Sequence, residues 1–313
     1  DSGGVAVDTG FYNQASSAKL GWTPSWFGAQ HFDEALEEGI KKFQTEHDLT
    51  PDGLCGPMTY RRAWTERQAS ISDYKPTGGV GLVGQKYIVH NGRFIPIDWD
   101  KVILWDQPDG LGCDKGTYYD YSGEKDRVPM LFVNHWDVCL SAASCAKVIA
   151  RRGISIHFCI DNDGTIYQLL DTQHGAFQAG RRHGNKHGIG VEISNAYYTK
   201  YQDWYVKNGF GPRPVVEKNA VKVHGHGLKE HLDFYPVQIE AAKALWKAMH
   251  LGLGIPLEAP RLPNGEPNLG VDAGCDNGDF TGFCHHYNIT RNKIDCAGLD
   301  LWSLLEEVKA ELD

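Results

Sequence analysis

The chain has 313 residues with 41% hydrophobic and 23% charged, an ordinary globular composition that leaves no room for a long disordered arm and is long enough for two domains. Its formal net charge of -9 argues against a surface that tracks phosphates, so nucleic acid is not an expected partner. No apolar run approaches the roughly 20 residues of a membrane-spanning helix, and the start, DSGGVAVDTG, lacks a charged segment followed by an apolar one. Neither a membrane anchor nor a signal peptide is expected within this sequence, and localisation stays open.

In chain order, FDEALEEGIKKFQTEHDLTPDGLCGPMTYRRAW predicts two short helices around a turn, with Phe32, Leu36, Ile40 and Phe43 at helical spacing on the first and Asp52-Gly53 punctuating the middle. SISDYKPTGGVGLVG, rich in Pro, Gly, Ser and Thr, predicts a linker over 71–84. Beyond it YIVHNGRFIPIDW, MLFVNHW, ISIHFCID, GTIYQLLD and GIGVEISN have the apolar make-up of strands. CLSAASCAKVIARRG and FYPVQIEAAKALWKAMHLGLG place apolar residues every three to four positions, as amphipathic helices do. The expected architecture is therefore α/β: a mixed central β-sheet flanked by helices over 85–313, preceded by a small all-α domain over 1–70.

Chemistry concentrates at two places. His135 follows the apolar run Met130 to Val133 and should stand at the end of a buried strand, where a ligand is held rigidly. Near the C-terminus CHHYNITRNKIDCAGLDL brings His286, Lys293, Asp295 and Cys296 within ten or so positions. Imidazole nitrogen and thiolate sulfur are preferred zinc donors, and three protein ligands with one open position is the catalytic arrangement. Glu192, a carboxylate within the apolar strand Ile189 to Ile193, needs a partner or a task to offset its desolvation. The eight cysteines contain no CxxC and form no disulfide framework by count. HGHGLKEH offers His224, His226 and His231 as a second histidine cluster, taken as a surface or groove element.

Two resemblances follow from these residues. Phe43, Gln44, Asp52, Gly53, Gly56 and Thr59 resemble the pattern of the peptidoglycan-binding domain found in many wall hydrolases, over roughly residues 18 to 68. From about Leu131 onward the chain resembles the type 2 N-acetylmuramoyl-L-alanine amidases, the superfamily of phage lysozyme-type amidases and animal peptidoglycan recognition proteins. FVNHWD matches the first zinc-binding His, ISIHFCIDNDGTIYQLLD the central hairpin and GIGVEISN the strand whose Glu assists catalysis. His286, Tyr287, Asn288, Ile289, Lys293 and Cys296 match the family's ending.

The resemblance implies Zn2+ held by His135, His286 and Cys296, with His285 as the alternative to His286 and Asp295 as the alternative to Cys296. It implies Glu192 as general base and Lys293 as oxyanion stabiliser. Some members carry a Tyr where this chain has Ile156, which leaves Glu192 as the favoured base. Many members read Trp-His-Ala-Gly where this chain has Phe177, Gln178, Ala179 and Gly180, so Gln178 is expected to take over part of that histidine's substrate role. His157, Gln178 and Asn195 are the expected substrate contacts. Cys139 and Cys145 resemble a disulfide of the animal recognition proteins, which a cytoplasmic enzyme would keep reduced.

The implied function is cleavage of the amide between N-acetylmuramic acid and L-alanine in bacterial peptidoglycan, by a monomeric phage endolysin made in the host cytoplasm and acting on the wall. A non-catalytic recognition module and a bacterial wall-remodelling amidase are the alternatives. The retained Cys296 weighs against the first.

Overall fold

The computed structural model describes residues 7–70 and 87–313; the linker expected over 71–84 lies outside them. The chain divides into two compact units, Asp1–Asp73 and Tyr74–Asp313.

The first unit is helical. Helix α1 (Thr9–Leu20) opens on Asp8, whose carboxylate accepts from Phe11 N–H, and closes on the left-handed Gly21. Sequence periodicity does not predict it, because it buries only Asn13 and Leu20 and shows no apolar stripe. Helix α2 (Glu34–Glu46) is capped by Asp33 and buries Leu36, Ile40 and Phe43 on one face, as their spacing predicts. Helix α3 (Pro57–Ala69) starts at Gly56 with proline in its first turn.

The joint between α2 and α3 is organised by Gln44, which is buried. Its Nε2 donates to Asp52 Oδ1 (2.9 Å), the Leu54 carbonyl (3.0 Å) and Thr59 Oγ1 (3.1 Å), and its Oε1 accepts from Gly53 N–H (3.0 Å). Gly53 has φ +75°, which favours glycine. The FQ…DG…T pattern is thus one hydrogen-bonded turn.

The second unit is built on a mixed sheet. Its first strands, β1 (Tyr87–His90) and β2 (Arg93–Pro96), form a hairpin of their own. Strands β3 (Val102–Leu104), β4 (Leu131–Trp136), β5 (Phe158–Ile160), β6 (Ile166–Gln168), β7 (Gly188–Ile193) and β8 (Gly282–His285) make a six-stranded sheet in the order β8-β4-β7-β5-β6-β3. All its neighbours are parallel except β5 and β6, the hairpin turned by Asp163-Gly164. The central strands β4 and β7 are buried along their whole length, as expected of a sheet covered on both faces.

Helix α4 (Ala142–Arg152) is capped by Ser141 and stopped by left-handed Gly153. The unit also contains helices α5 (Arg182–His187), α6 (Pro236–Leu253), α7 (Ala273–Asn277), α8 (His286–Ile289) and α9 (Leu301–Ala310), together with a short helix at Gln202–Lys207 and several two-residue strands. This is the α/β architecture with a helical N-terminal unit that the sequence predicts.

Candidate metal centre

Strand order delivers the site. β4 is the neighbour of β8 on one side and of β7 on the other. Parallel pairing sets His135 of β4 directly beside Glu192 of β7, so the two side chains leave the sheet on the same face. β8 ends at His285, and His286 opens the short helix α8. The chain then returns through residues 290–295 to place Asp295 beside both histidines.

Three donor atoms converge there. His135 Nδ1 lies 3.0 Å from His286 Nδ1, and Asp295 Oδ2 lies 3.3 Å from each of them. All three residues are buried, at 2%, 7% and 7% exposure. The outer nitrogens are engaged elsewhere: His135 Nε2 meets Gln178 Oε1 at 2.5 Å, and His286 Nε2 meets the Ala179 carbonyl at 3.3 Å. The neighbouring histidines hold the Asp295 carboxyl well below the usual range even though burial opposes its charge. Burial also works against a charged His135, but its hydrogen bond to Asp295 and the charges of Glu192 and Asp295 raise its pKa on balance. Burial lowers that of His286.

Asp295, not Cys296, completes the trio. Cys296 is fully buried and its thiol, pushed up by burial and by the Asp295 charge, is not among the converging atoms. His285 is likewise turned away, with Nε2 on the Leu299 carbonyl at 3.0 Å; burial pushes its pKa down to about 4. Lys293 is close enough for its charge to act on His286.

Two of the expected substrate contacts are interior. His157 is fully buried; its Nε2 faces the His174 carbonyl (2.8 Å) and its Nδ1 accepts from Gly190 N–H (3.1 Å). Asn195 is buried too, bonded to the Leu232 carbonyl and to Tyr197 N–H. Neither has a free polar atom for a substrate, and both instead tie together the strands and loops around the site. Gln178 reaches His135, a contact that its sequence position alone does not reveal.

The histidine-rich loop does not assemble a site. His224 Nε2 meets the Lys293 carbonyl at 2.8 Å, while His231 stacks on Tyr197 with centroids 4.9 Å apart. Cys139 and Cys145 are not joined by a disulfide, and their sulfurs and a carboxylate oxygen of Asp137 lie mutually within 4.8 Å. The Asp137 oxygens already accept from Cys139 N–H, Asn195 N–H and Ser194 Oγ, which is the work of a structural carboxylate.

Comparison with known proteins adds the class. The family model of N-acetylmuramoyl-L-alanine amidases matches residues 125–295, more than half of the chain, and a model of peptidoglycan binding domains matches residues 18–62. The chain belongs to the N-acetylmuramoyl-L-alanine amidase family. It is accordingly an enzyme of that activity, and peptidoglycan is its substrate.

Among solved structures it is similar to the amidase LysC of Clostridium intestinale, at 15% identity over 68% of this chain and 98% of that one, with a TM-score of 0.36. It is similar to AmiA of Staphylococcus aureus at 10% identity over 66% and 82%, with a TM-score of 0.39. It is also similar to AmpDh3 of Pseudomonas aeruginosa, at 17% identity over 63% and 65%, with a TM-score of 0.37. No curated protein matches the chain in direct comparison.

Proposed function

We propose that the chain is a zinc-dependent amidase of phage endolysin type, whose N-terminal unit over residues 1–70 holds it on the wall while residues 85–313 cut the bond between N-acetylmuramic acid and L-alanine. The observation that carries the zinc reading is the facing of three lone-pair donors. Gln178 Oε1 and the Ala179 carbonyl can only accept, so a neutral His135 or His286 keeps its proton on Nε2 and turns a bare Nδ1 inward. Two such nitrogens and a carboxylate repel one another unless a cation lies between them. In the metal-free protein a proton serves. Otherwise a metal ion does, and two imidazoles with one carboxylate is a donor set that zinc accepts. Tetrahedral zinc with bonds of about 2.0–2.2 Å sets its ligands about 3.3–3.6 Å apart, close to the separations here.

His135, His286 and Asp295 would hold the ion. Zinc there supplies Lewis-acid polarisation of the scissile carbonyl and makes water more acidic. Glu192, beside His135, takes the proton of the attacking water and passes it to the leaving amine of L-alanine. Lys293 offers positive charge to the oxyanion that develops on the carbonyl. The family match at residues 18–62 supports the wall-holding role, which suits an enzyme that works on intact sacculi.

Elemental analysis of the purified chain, coupled to mass spectrometry of digested sacculi, tests this reading. One zinc per chain and released stem peptides beginning with L-alanine are expected. New glycan reducing ends without free stems would overturn the bond assignment, and metal-independent cleavage would overturn the zinc.

A further inference from the structure

Both histidines of the trio are steered from one short segment. Gln178 meets His135 Nε2 through its side chain, and Ala179 meets His286 Nε2 through its backbone. The Gln178 amide is not free to turn over: its Nε2 donates to the Gly184 carbonyl at 3.3 Å, and a flipped amide would set two acceptors against each other there. The segment is itself held by Asn185, whose Oδ1 accepts from the backbone N–H of Gln178 (3.0 Å) and of Ala179 (2.7 Å).

Strand β7 is shaped to admit this side chain. A Cβ on Gly190 would stand 2.7 Å from Gln178 Oε1, and one on Gly188 would stand 3.3 Å from its Nε2. Alternation puts both glycines on the same face as Glu192. The strand that carries the expected base therefore has no side chain at the two positions where Gln178 lies. Gln178 sits behind His135, on the nitrogen opposite the converging donors, and so acts through the histidine and not on substrate.

We propose that Gln178, anchored by Asn185, is a positioning residue that fixes the tautomer and ring orientation of His135, so that Nδ1 presents its lone pair to the metal. This rests on the zinc reading above. Partners that hold the outer nitrogen of a ligating histidine commonly contribute about 10- to 100-fold in metal affinity.

Zinc affinity, read by competition with a chromophoric chelator, separates this role from simple packing. Gln178→Leu keeps the volume but loses the acceptor, and should weaken zinc binding about 10- to 100-fold. Gln178→Glu keeps an acceptor and should bind zinc no more weakly than the unaltered chain. Asn185→Ala should weaken binding without touching either histidine. A Gln178→Leu protein that binds zinc normally would overturn the proposal, as would a Gln178→Glu protein that loses as much as the leucine variant.

A second arm does not depend on the metal or on any variant folding. Imidazole 15N shifts of the metal-free chain in mildly alkaline solution should show His135 protonated on Nε2, and protonation on Nδ1 would overturn the proposal. Should the unaltered chain bind no zinc, the zinc reading fails, and this arm alone decides whether Gln178 sets the tautomer.

Discussion

His135 and Glu192 are direct partners in the parallel pairing of β4 and β7, and both side chains are buried on one face of the sheet. A candidate ligand and a candidate base are therefore held by two central strands, where neither can drift. The spacing comes from the sheet and not from loop conformation.

This relationship gives the first prediction. Glu192→Gln should keep zinc and fold, because the amide is nearly isosteric, while turnover falls about 10²- to 10⁴-fold if Glu192 is the base. Lys293→Ala should cost roughly 10²- to 10³-fold as an oxyanion donor is lost. Rate against pH separates the two: loss of the base erases the acidic limb, and loss of Lys293 lowers the whole curve. A Glu192→Gln enzyme of near-normal turnover would make Glu192 structural.

Asp295 and Cys296 are adjacent in sequence but should answer differently to removal. Asp295→Ala is expected to lose zinc by more than the 10- to 100-fold typical of a supporting partner. Cys296→Ala should retain one zinc per chain and lose about 1 kcal/mol of stability, as is usual for a small core truncation. Zinc content and thermal unfolding of the two variants check this, and the reverse pattern would restore the thiol as ligand.

The buried His157 predicts an acid-sensitive fold. Burial, reinforced by Arg127, lowers its pKa from 6.5 to about 3, and its Nδ1 already accepts from Gly190 N–H and so has no room for a second proton. The unfolded chain takes up that proton below pH 6.5 and the folded chain does not, so stability is lost as pH falls from 6.5 toward 3. Relative to His157→Gln, the unaltered protein should lose roughly 3 kcal/mol between pH 7 and 4.5, two pH units below the unfolded pKa. Equal acid dependence of the two in urea unfolding would contradict this.

Removing residues 1–70 should spare hydrolysis of soluble muropeptides, since every proposed catalytic and metal-holding group lies beyond them. Sedimentation with whole sacculi should fall. Undiminished binding by the shortened chain would remove the wall-holding role from that unit.

Residue pattern alone determined much of this protein. Apolar runs and helical spacing marked the central strands and the main helices, because burial demands those patterns whatever the neighbours are. The turn residues Asp52-Gly53 and Asp163-Gly164, the strand-end His135 and the buried Glu192 were legible for the same local reason. Helix α1 was not, because it carries no apolar stripe: it is capped at Asp8 and Gly21 and tied in by polar side chains, Asn13 to Gly53 and Cys55 and Ser16 to Cys55. That Asp295 and not Cys296 faces the two histidines belonged to the tertiary structure, since neighbouring side chains in an irregular return segment point wherever the backbone path sends them. So did the places of His157, Asn195 and Gln178: a polar residue near a site reads the same in sequence whether it faces substrate, backbone or the far nitrogen of a neighbouring histidine. Only the packing of β7 with its two glycines, and of the segment held by Asn185, decided which it was.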